Sequence, residues 1–286
     1  MRILFATAEA APHFQVGGLG AVSEELPSAL CATGMDVRVL MPLWSEARAS
    51  ATALTVVASD IDHVFGHATV SFNLLTPDSG RTVFIEAPRY FESEHSPYAN
   101  VTDTSDPAFD RFLFFSSAIL AAARALDFVP DVLHLHDWHT AAASALLRCN
   151  EHFEDDVAET AVVLTIHNAG FEGLLHPDDW RRAGFREDAL QQGKTLIGSD
   201  VSLLLAGVHF ADQITTVSPT YATEITTDRQ GPSFAEKLRS RSEDLTGILN
   251  GLNVAEFDPT HDPALAEPFC SDQMAGKAIC QSELCQ

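Results

Sequence analysis

The chain has 286 residues, enough for one large domain or two small ones. Hydrophobic residues at 46% and charged residues at 20% argue against wholesale disorder, and a chain this long needs no disulfide or metal staple. Lys and Arg number 17 against 40 Asp and Glu, a formal charge of −23. That balance argues against a nucleic-acid or anionic-membrane binder, because such proteins cluster cations against phosphates.

From the N-terminus, residues 3–8 are an apolar run that reads as a first strand, too short and too soon acidic for a signal peptide. Residues 24–33 read as a helix and 37–42 as a second strand. Residues 52–58, 68–75 and 82–87 are further strands, closer together and antiparallel or at an edge. Residues 109–126 form a long Ala/Phe/Leu-rich helix. Three buried-looking strands follow at 132–136, 162–167 and 213–218, with helices at 140–149 and 201–210 between them. Near-continuous apolar strands alternating with helices predict a doubly wound, mostly parallel α/β sheet, Rossmann-like, with helices on both faces. A last helical stretch covers 271–284. No run reaches about 18 apolar residues, so no membrane span is expected and the chain reads as cytoplasmic. The five cysteines are odd in number and lack a CxxC spacing, which argues against a disulfide framework or structural zinc. The acidity reads as a solvated surface or as adaptation to high salt, where repulsion is screened. Only Lys194, Lys237 and Lys277 are lysines.

In such sheets ligands collect at the carboxyl ends of the strands, and four clusters fall there. The first is Gln15-Val16-Gly17-Gly18-Leu19-Gly20, a glycine-rich loop before a helix. Its backbone can approach a ligand closely, and the helix N-terminus offers free N–H groups to an anion. A tight turn without ligand is the plain alternative. The second is His134-Leu135-His136-Asp137-Trp138-His139, in which His134 and His136 share a strand face. Three imidazoles and a carboxylate could hold zinc, but the order differs from the HxHxDH of metallo-β-lactamases and favours a polar rim facing sugar or phosphate. Trp138 suits stacking on a sugar ring or a place in the core. The third, Thr165-Ile166-His167-Asn168, offers donors and acceptors to hydroxyls. The fourth joins Thr216-Val217-Ser218-Pro219-Thr220-Tyr221 to Gly247-Ile248-Leu249-Asn250-Gly251, a Pro-started helix and a turn signal.

Taken in order, these clusters resemble the N-terminal half of bacterial glycogen synthase and plant starch synthase. That family opens with a strand, a Glu, and then K-x-G-G-L-G-D-V, where this chain has Glu9 and Gln15 to Val22. The family's H-x-H-D-W-H-T corresponds to His134–Thr140, its T-x-H-N…G to Thr165–Gly173, and its A-D-x-x-T-T-V-S-P-T-Y-A to Ala211–Ala222. G-I-L-N-G corresponds to Gly247–Gly251, and Ser96-Pro97-Tyr98 resembles a further family segment.

The resemblance implies the N-terminal half of a GT-B glycosyltransferase, in which two Rossmann-like domains face a cleft. It implies a retaining enzyme that moves glucose from ADP-glucose or UDP-glucose to the 4-OH end of an α-1,4-glucan, with no cofactor or metal. By position, Gln15, Gly17, Gly18 and Gly20 form the donor-phosphate loop, and Asp137 and His167 stand at the reaction centre. Glu9, Tyr98, Trp138, Asn168 and Asn250 line the sugar sites. Residues 1–260 correspond to the N-terminal domain and 261–286 to the start of an interdomain connection, with the C-terminal nucleotide-binding domain expected to be absent from this chain.

Three positions depart from the family: Gln15 replaces its Lys, Ala21 replaces its Asp, and Leu205 stands where a Lys is frequent. The reading that follows is an acceptor-side domain, active with a C-terminal partner domain, for which self-association is an alternative. Its other expected partner is the α-1,4-glucan, with neither nucleic acid nor membrane. A non-catalytic glucan-binding module and a metal-dependent hydrolase built on HxHDWH are the alternatives.

Overall fold

A computed structural model describes residues 1–51, 53–77, 80–92, 96–98, 108–149, 157, 159–191, 194–228, 231–254 and 256–285. The chain divides into two compact units, Met1–Leu249 and Asn250–Gln286. The first opens with β1 (Arg2–Ala6), α1 (Gly18–Ala32), β2 (Asp36–Pro42) and α2 (Ser45–Ser50). Then come β3 (Leu54–Phe65), β4 (Ala68–Pro77), β5 (Thr82–Glu86), α3 (Pro88–Phe91) and α4 (Ala108–Ala125). The middle of the unit holds β6 (Val132–His136), α5 (Trp138–Cys149), β7 (Ala161–Ile166), β8 (Leu174–Leu175), α6 (Pro177–Arg182), β9 (Leu196–Ile197) and β10 (Asp200–Ser202). It closes with α7 (Leu203–Phe210), β11 (Gln213–Thr216), α8 (Pro219–Glu224), α9 (Pro232–Ser240) and β12 (Leu245–Gly247).

Nine strands form one sheet in the order β12-β11-β7-β6-β1-β2-β5-β4-β3. Pairings from β12 through β5 are parallel, and β5-β4-β3 continue antiparallel. The strand order reverses direction at β1, so the loops leaving β1 and β6 flank the crevice where doubly wound sheets bind ligands. The central strands are buried on both faces: Leu4, Phe5, Leu133, Leu135, Val162 and Leu164 are all solvent-excluded. That burial is why their sequences read as unbroken apolar runs rather than alternations.

Helix α4 carries Phe112, Leu113, Phe114 and Phe115 in succession, all fully buried, and Tyr90 stacks on Phe114 with ring centroids 4.2 Å apart. Helix α4 packs directly on α5 through Phe112 and Trp138, and α7 lies close on α5 and β7. A Cβ on Gly207 would stand 2.7 Å from the Ala141 Cβ and 2.9 Å from Leu164, so glycine sets that approach.

The β3–β4 hairpin is longer than the sequence predicts. Register shifts at Val56/Ala58 and Ala58/Ile61 interrupt the ladder, and Asp60 and Asp62 disguise the second half of β3 as loop. Residue 52, at the predicted start, lies outside the described residues. Helix α1 starts at Gly18 rather than at residue 24, because glycines in its first turn carry no apolar signal. A small antiparallel sheet, β8-β10-β9, was not expected from strands so short.

The second unit is turn-rich and ends in α10 (Ala275–Leu284), inside the predicted 271–284. All five cysteines are free thiols. No helix among the described residues is long and apolar enough to cross a membrane.

Candidate active site

The loop leaving β1 is held from within. Thr7 Oγ1 donates to the Glu9 carbonyl at 2.8 Å, and Glu9 itself is 5% exposed. Its Oε2 accepts from the amides of Val16 at 2.7 Å and Gly17 at 3.1 Å, while Oε1 accepts from the Tyr98 hydroxyl at 2.7 Å. One carboxylate therefore ties the glycine loop to a residue 89 positions away in sequence. Gln15 folds back over the loop, donating Nε2 to the Gly17 carbonyl at 3.1 Å and lying against Gly20. Gly17 and Gly18 face open space, where an added Cβ would meet nothing within 4 Å. No side chain caps α1 at Gly17, and no acidic residue occupies its first turn. An uncapped helix start carries partial positive charge, so the exposed loop presents an anion-compatible surface.

Glu9→Ala removes the acceptor of three bonds and is expected to destabilise the chain by at least about 1.5–3 kcal/mol, the range for one hydrogen bond to a charged group. Tyr98→Phe loses one bond and costs less. Urea-unfolding midpoints would check the ranking; an unchanged midpoint in Glu9→Ala would contradict it.

The loop leaving β6 turns sharply at Asp137, whose φ of 55° lies in the left-handed region. Asp tolerates that conformation better than most residues, and such strain gathers at functional sites. Thr140 fixes the turn by accepting from the His136 amide at 2.8 Å and donating to the His136 carbonyl at 3.0 Å. Asp137 Oδ1 accepts from the amides of His167 at 2.7 Å and Asn168 at 3.2 Å, joining the loops after β6 and β7. The carboxyl is 6% exposed, and burial pushes its pKa up to about 7 against the pull of those two amides. The charge of Glu9 adds to the rise, which connects the first loop to the second.

Beneath these loops lies a layer of neutral imidazoles. His136 is fully buried, stacks on Phe5 at 3.9 Å, and shares a hydrogen bond between its Nδ1 and His167 Nε2 at 2.9 Å. His134 Nε2 shares a bond with Thr165 Oγ1 at 2.7 Å. His139 sits among Tyr98, Phe112 and Trp138. Burial lowers all four pKa values, to about 3 for His134 and His139, about 4 for His167, and well below the usual range for His136. His136 Nε2 and His139 Nδ1 have no hydrogen-bond partner among the described residues.

With the imidazoles turned to Thr165, to each other and to an aromatic pocket, no three His, Cys, Asp or Glu among the described residues are grouped to hold a metal ion.

The sequence-selected residues of the first unit form two hydrogen-bonded groups. Gln15 and Gly17 join Glu9 and Tyr98, with Gly18 next in the chain, and Asp137 joins His167 and Asn168. Asn168 is exposed, and its Oδ1 accepts from the Gly170 amide at 2.9 Å. Trp138, at 4% exposure, packs edge-on against Phe112 and over Gly173, where a Cβ would come within 2.5 Å of its ring. It serves as a wall rather than as an open platform. Asn250 belongs to the second unit. Leu205 is fully buried in α7, away from solvent. Sequence reasoning missed Tyr221 as a member: its hydroxyl accepts from the Ala169 amide at 2.9 Å and anchors the loop after β7 to α8. A Tyr three places after the helix-capping Ser218 is the signal that could have found it.

The family model for the starch synthase catalytic domain matches residues 2–240. A glycogen synthase of Anaeromyxobacter sp. (strain Fw109-5) is 36% identical over 285 residues, covering 99% of this chain and 59% of that protein. A glycogen synthase of Clostridium novyi (strain NT) is 36% identical over 282 residues, covering 97% and 58%. The chain thus spans less than two thirds of the length of these relatives. The solved catalytic domain of Starch Synthase IV from Arabidopsis thaliana, bound to ADP and acarbose, superposes with a TM-score of 0.85 at 24% identity, covering 99% of this chain and 58% of that one. That likeness shows the fold, a GT-B glycosyltransferase half. The family match over most of its length shows that the chain belongs to the starch synthase catalytic domain family.

Proposed function

We propose that this chain is the acceptor-side half of a retaining glucosyltransferase. It would transfer glucose from ADP-glucose or UDP-glucose to the 4-OH end of an α-1,4-glucan, together with a C-terminal nucleotide-binding domain on the same or another polypeptide. The carrying observation is the hydrogen-bonded set from Gly17 through Glu9 to Tyr98, together with a second set, Asp137, His167 and Asn168, where strands of the same sheet end. In this reading the uncapped start of α1 receives the donor diphosphate, where a helix N-terminus and free amides stabilise negative charge that grows as the leaving group departs. The bond from glucosyl C1 to the phosphate oxygen breaks while C1 bonds the acceptor 4-O, and the hydroxyl proton leaves with the phosphate or to solvent. The Asp137 carboxylate lies under the transferring glucose and favours its oxocarbenium-like character. The His167 and Asn168 loop positions sugar hydroxyls, and a sugar-nucleotide donor implies a cytoplasmic site of action.

A glucan-binding module without transferase chemistry is the second reading, favoured by Gln15 and its inward-folded side chain. Assay of glucose transfer from ADP-glucose to maltooligosaccharides, with the nucleotide-binding half of a relative supplied, separates the two. Measurable transfer supports the proposal, and an inert assembled complex contradicts it. Gln15→Lys places a cation at the loop and is expected to raise kcat/KM for the donor about tenfold or more, as a charge-assisted bond to phosphate would. An unchanged kcat/KM would show that the loop does not meet the donor phosphates.

A further inference from the structure

With 40 carboxylates for 17 lysines and arginines, every cation in this chain has acids to spare. The arginines near the ends of α5 and α7 follow that expectation. Arg148 pairs with Asp212, Arg186 with Asp188 and Arg241 with Asp244, each at 2.6 Å. Two of them also serve the fold: Arg148 donates to the Thr160 carbonyl, and Arg241 donates to the carbonyls of Val208 and Ala211 where α7 ends. Lys194 and Lys237 differ. Neither meets a carboxylate among the described residues, and the Lys237 ammonium donates instead to His209 Nδ1 at 2.8 Å.

The two lysines therefore add positive charge beyond what these three ion pairs balance. Burial, then Lys237, Lys194 and Arg241, lower the His209 pKa to about 4, so the imidazole accepts from lysine as a neutral ring. Burial together with Arg241 and Lys194 also lowers Lys237. A cavity of about 480 Å³ opens beside them, lined by Arg148, Arg186, Asp188, Lys194 and His209, with Phe210 and Cys149 as apolar walls, and Lys237 stands behind its His209 wall. That volume lies within the range of roughly 300–1,000 Å³ typical of small-molecule sites.

The cavity lies away from the site described above. Arg148 is in the last turn of α5 and His209 in the last turn of α7. These helices return antiparallel to the strands, so the cavity lies at the sheet end where β7 and β11 begin. Asp137 and His167 stand where β6 and β7 finish.

We propose that this cavity is a second binding site for a phosphate-bearing small molecule, with Lys194 as its principal contact and Arg186 and Lys237 completing the field. A phosphate carries close to two negative charges at neutral pH and three acceptor oxygens. These suit two guanidiniums and two ammonium groups that have no carboxylate partner of their own among the described residues. The single carboxylate among the described lining residues, Asp188, is paired with Arg186. The apolar walls offer room for a carbon skeleton beside the phosphate. The assignment is independent of the transferase reading.

Calorimetric titration of the whole chain with fructose 6-phosphate and, separately, inorganic phosphate tests it. Fructose 6-phosphate is chosen because its sugar is not the glucosyl unit of the proposed donor. Saturable binding at one site per chain is expected, weakened about tenfold or more by Lys194→Gln and again by Lys237→Gln. Tighter binding of fructose 6-phosphate than of phosphate would assign an organic monoester, and equal binding would assign free phosphate. Neither lysine holds a fold-critical carboxylate, so both variants should melt as the parent does. Absence of saturation at millimolar ligand, or binding that survives the double replacement and therefore lies elsewhere, would overturn the proposal.

Discussion

Asp137→Asn is expected to lower glucosyl transfer by about two to three orders of magnitude, the effect of losing one preorganised electrostatic group at a reacting centre. The chain should stay folded. Asparagine tolerates the left-handed φ of 55° and keeps an oxygen to accept from the His167 or Asn168 amide, so the turn after β6 survives. Asp137→Ala keeps neither feature, and its loss of activity would mix chemistry with structure. The pH dependence separates the two. The folded carboxyl titrates near 7, well above its ordinary 3.8, so the folded state retains a proton that the unfolded chain releases. Its contribution is fully present below pH 4 and is lost as pH rises through 7. Across that window the parent should lose up to roughly 4 kcal/mol relative to Asp137→Asn, whose amide does not titrate. Paired urea titrations at several pH values would read that difference directly. A constant gap between parent and variant would mean the carboxyl is not held in a desolvated place, and the electrostatic role would go with it.

Acidification from pH 7 to about 5 is expected to unfold the chain. His134, His136, His139 and His167 are buried as neutral rings, with folded pKa values depressed to about 3 or 4 or, for His136, further. Unfolded imidazoles take up protons near 6.5, so this stability is present above that value and is lost as pH falls toward the folded values. Four such groups lose together about 5 kcal/mol per pH unit, and total stabilities are only about 5–15 kcal/mol. Protonation of Asp137 acts in the opposite direction but is a single group. Relief of repulsion among the surplus carboxylates begins at lower pH, near their ordinary values. Circular dichroism along a pH series should show a cooperative transition between pH 6 and 4, to which these groups contribute a net uptake of about three protons, four taken up by the imidazoles and one released by Asp137. A chain that remains folded at pH 4 with little proton uptake would contradict the buried-imidazole layer.

The central sheet was legible because β1, β2, β6 and β7 are largely buried and read as apolar runs ending in small or polar residues, while β11, Gln213–Thr216, was found by its place between α7 and the Ser218-Pro219 helix start. The β3–β4 hairpin was legible only in part, since its outer face is solvated and its ladder is irregular at Ala58. At the site, Gly17, Gly18, Asp137 and His167 announced themselves by their place at strand ends. The work of Glu9 did not, because its partners Val16, Gly17 and Tyr98 are set by the folded loop rather than by spacing. Trp138 illustrates the converse: its motif suits a sugar platform, and packing against Phe112 and Gly173 makes it a wall. The positive cavity at the far end of the sheet had no sequence signature. Arg148, Arg186, Lys194 and His209 are dispersed along the chain, and only the return of α5 and α7 assembles them.

Hydrogen–deuterium exchange of the whole chain with and without a long maltooligosaccharide addresses the shared sugar edge most directly. Slowed exchange is expected together in the peptides spanning 15–20, 137–140 and 167–170, with the far-edge hairpin of β3 and β4 unchanged. Protection confined to that hairpin, or to just one of the three loops, would mean that these strand ends do not form a common glucan site.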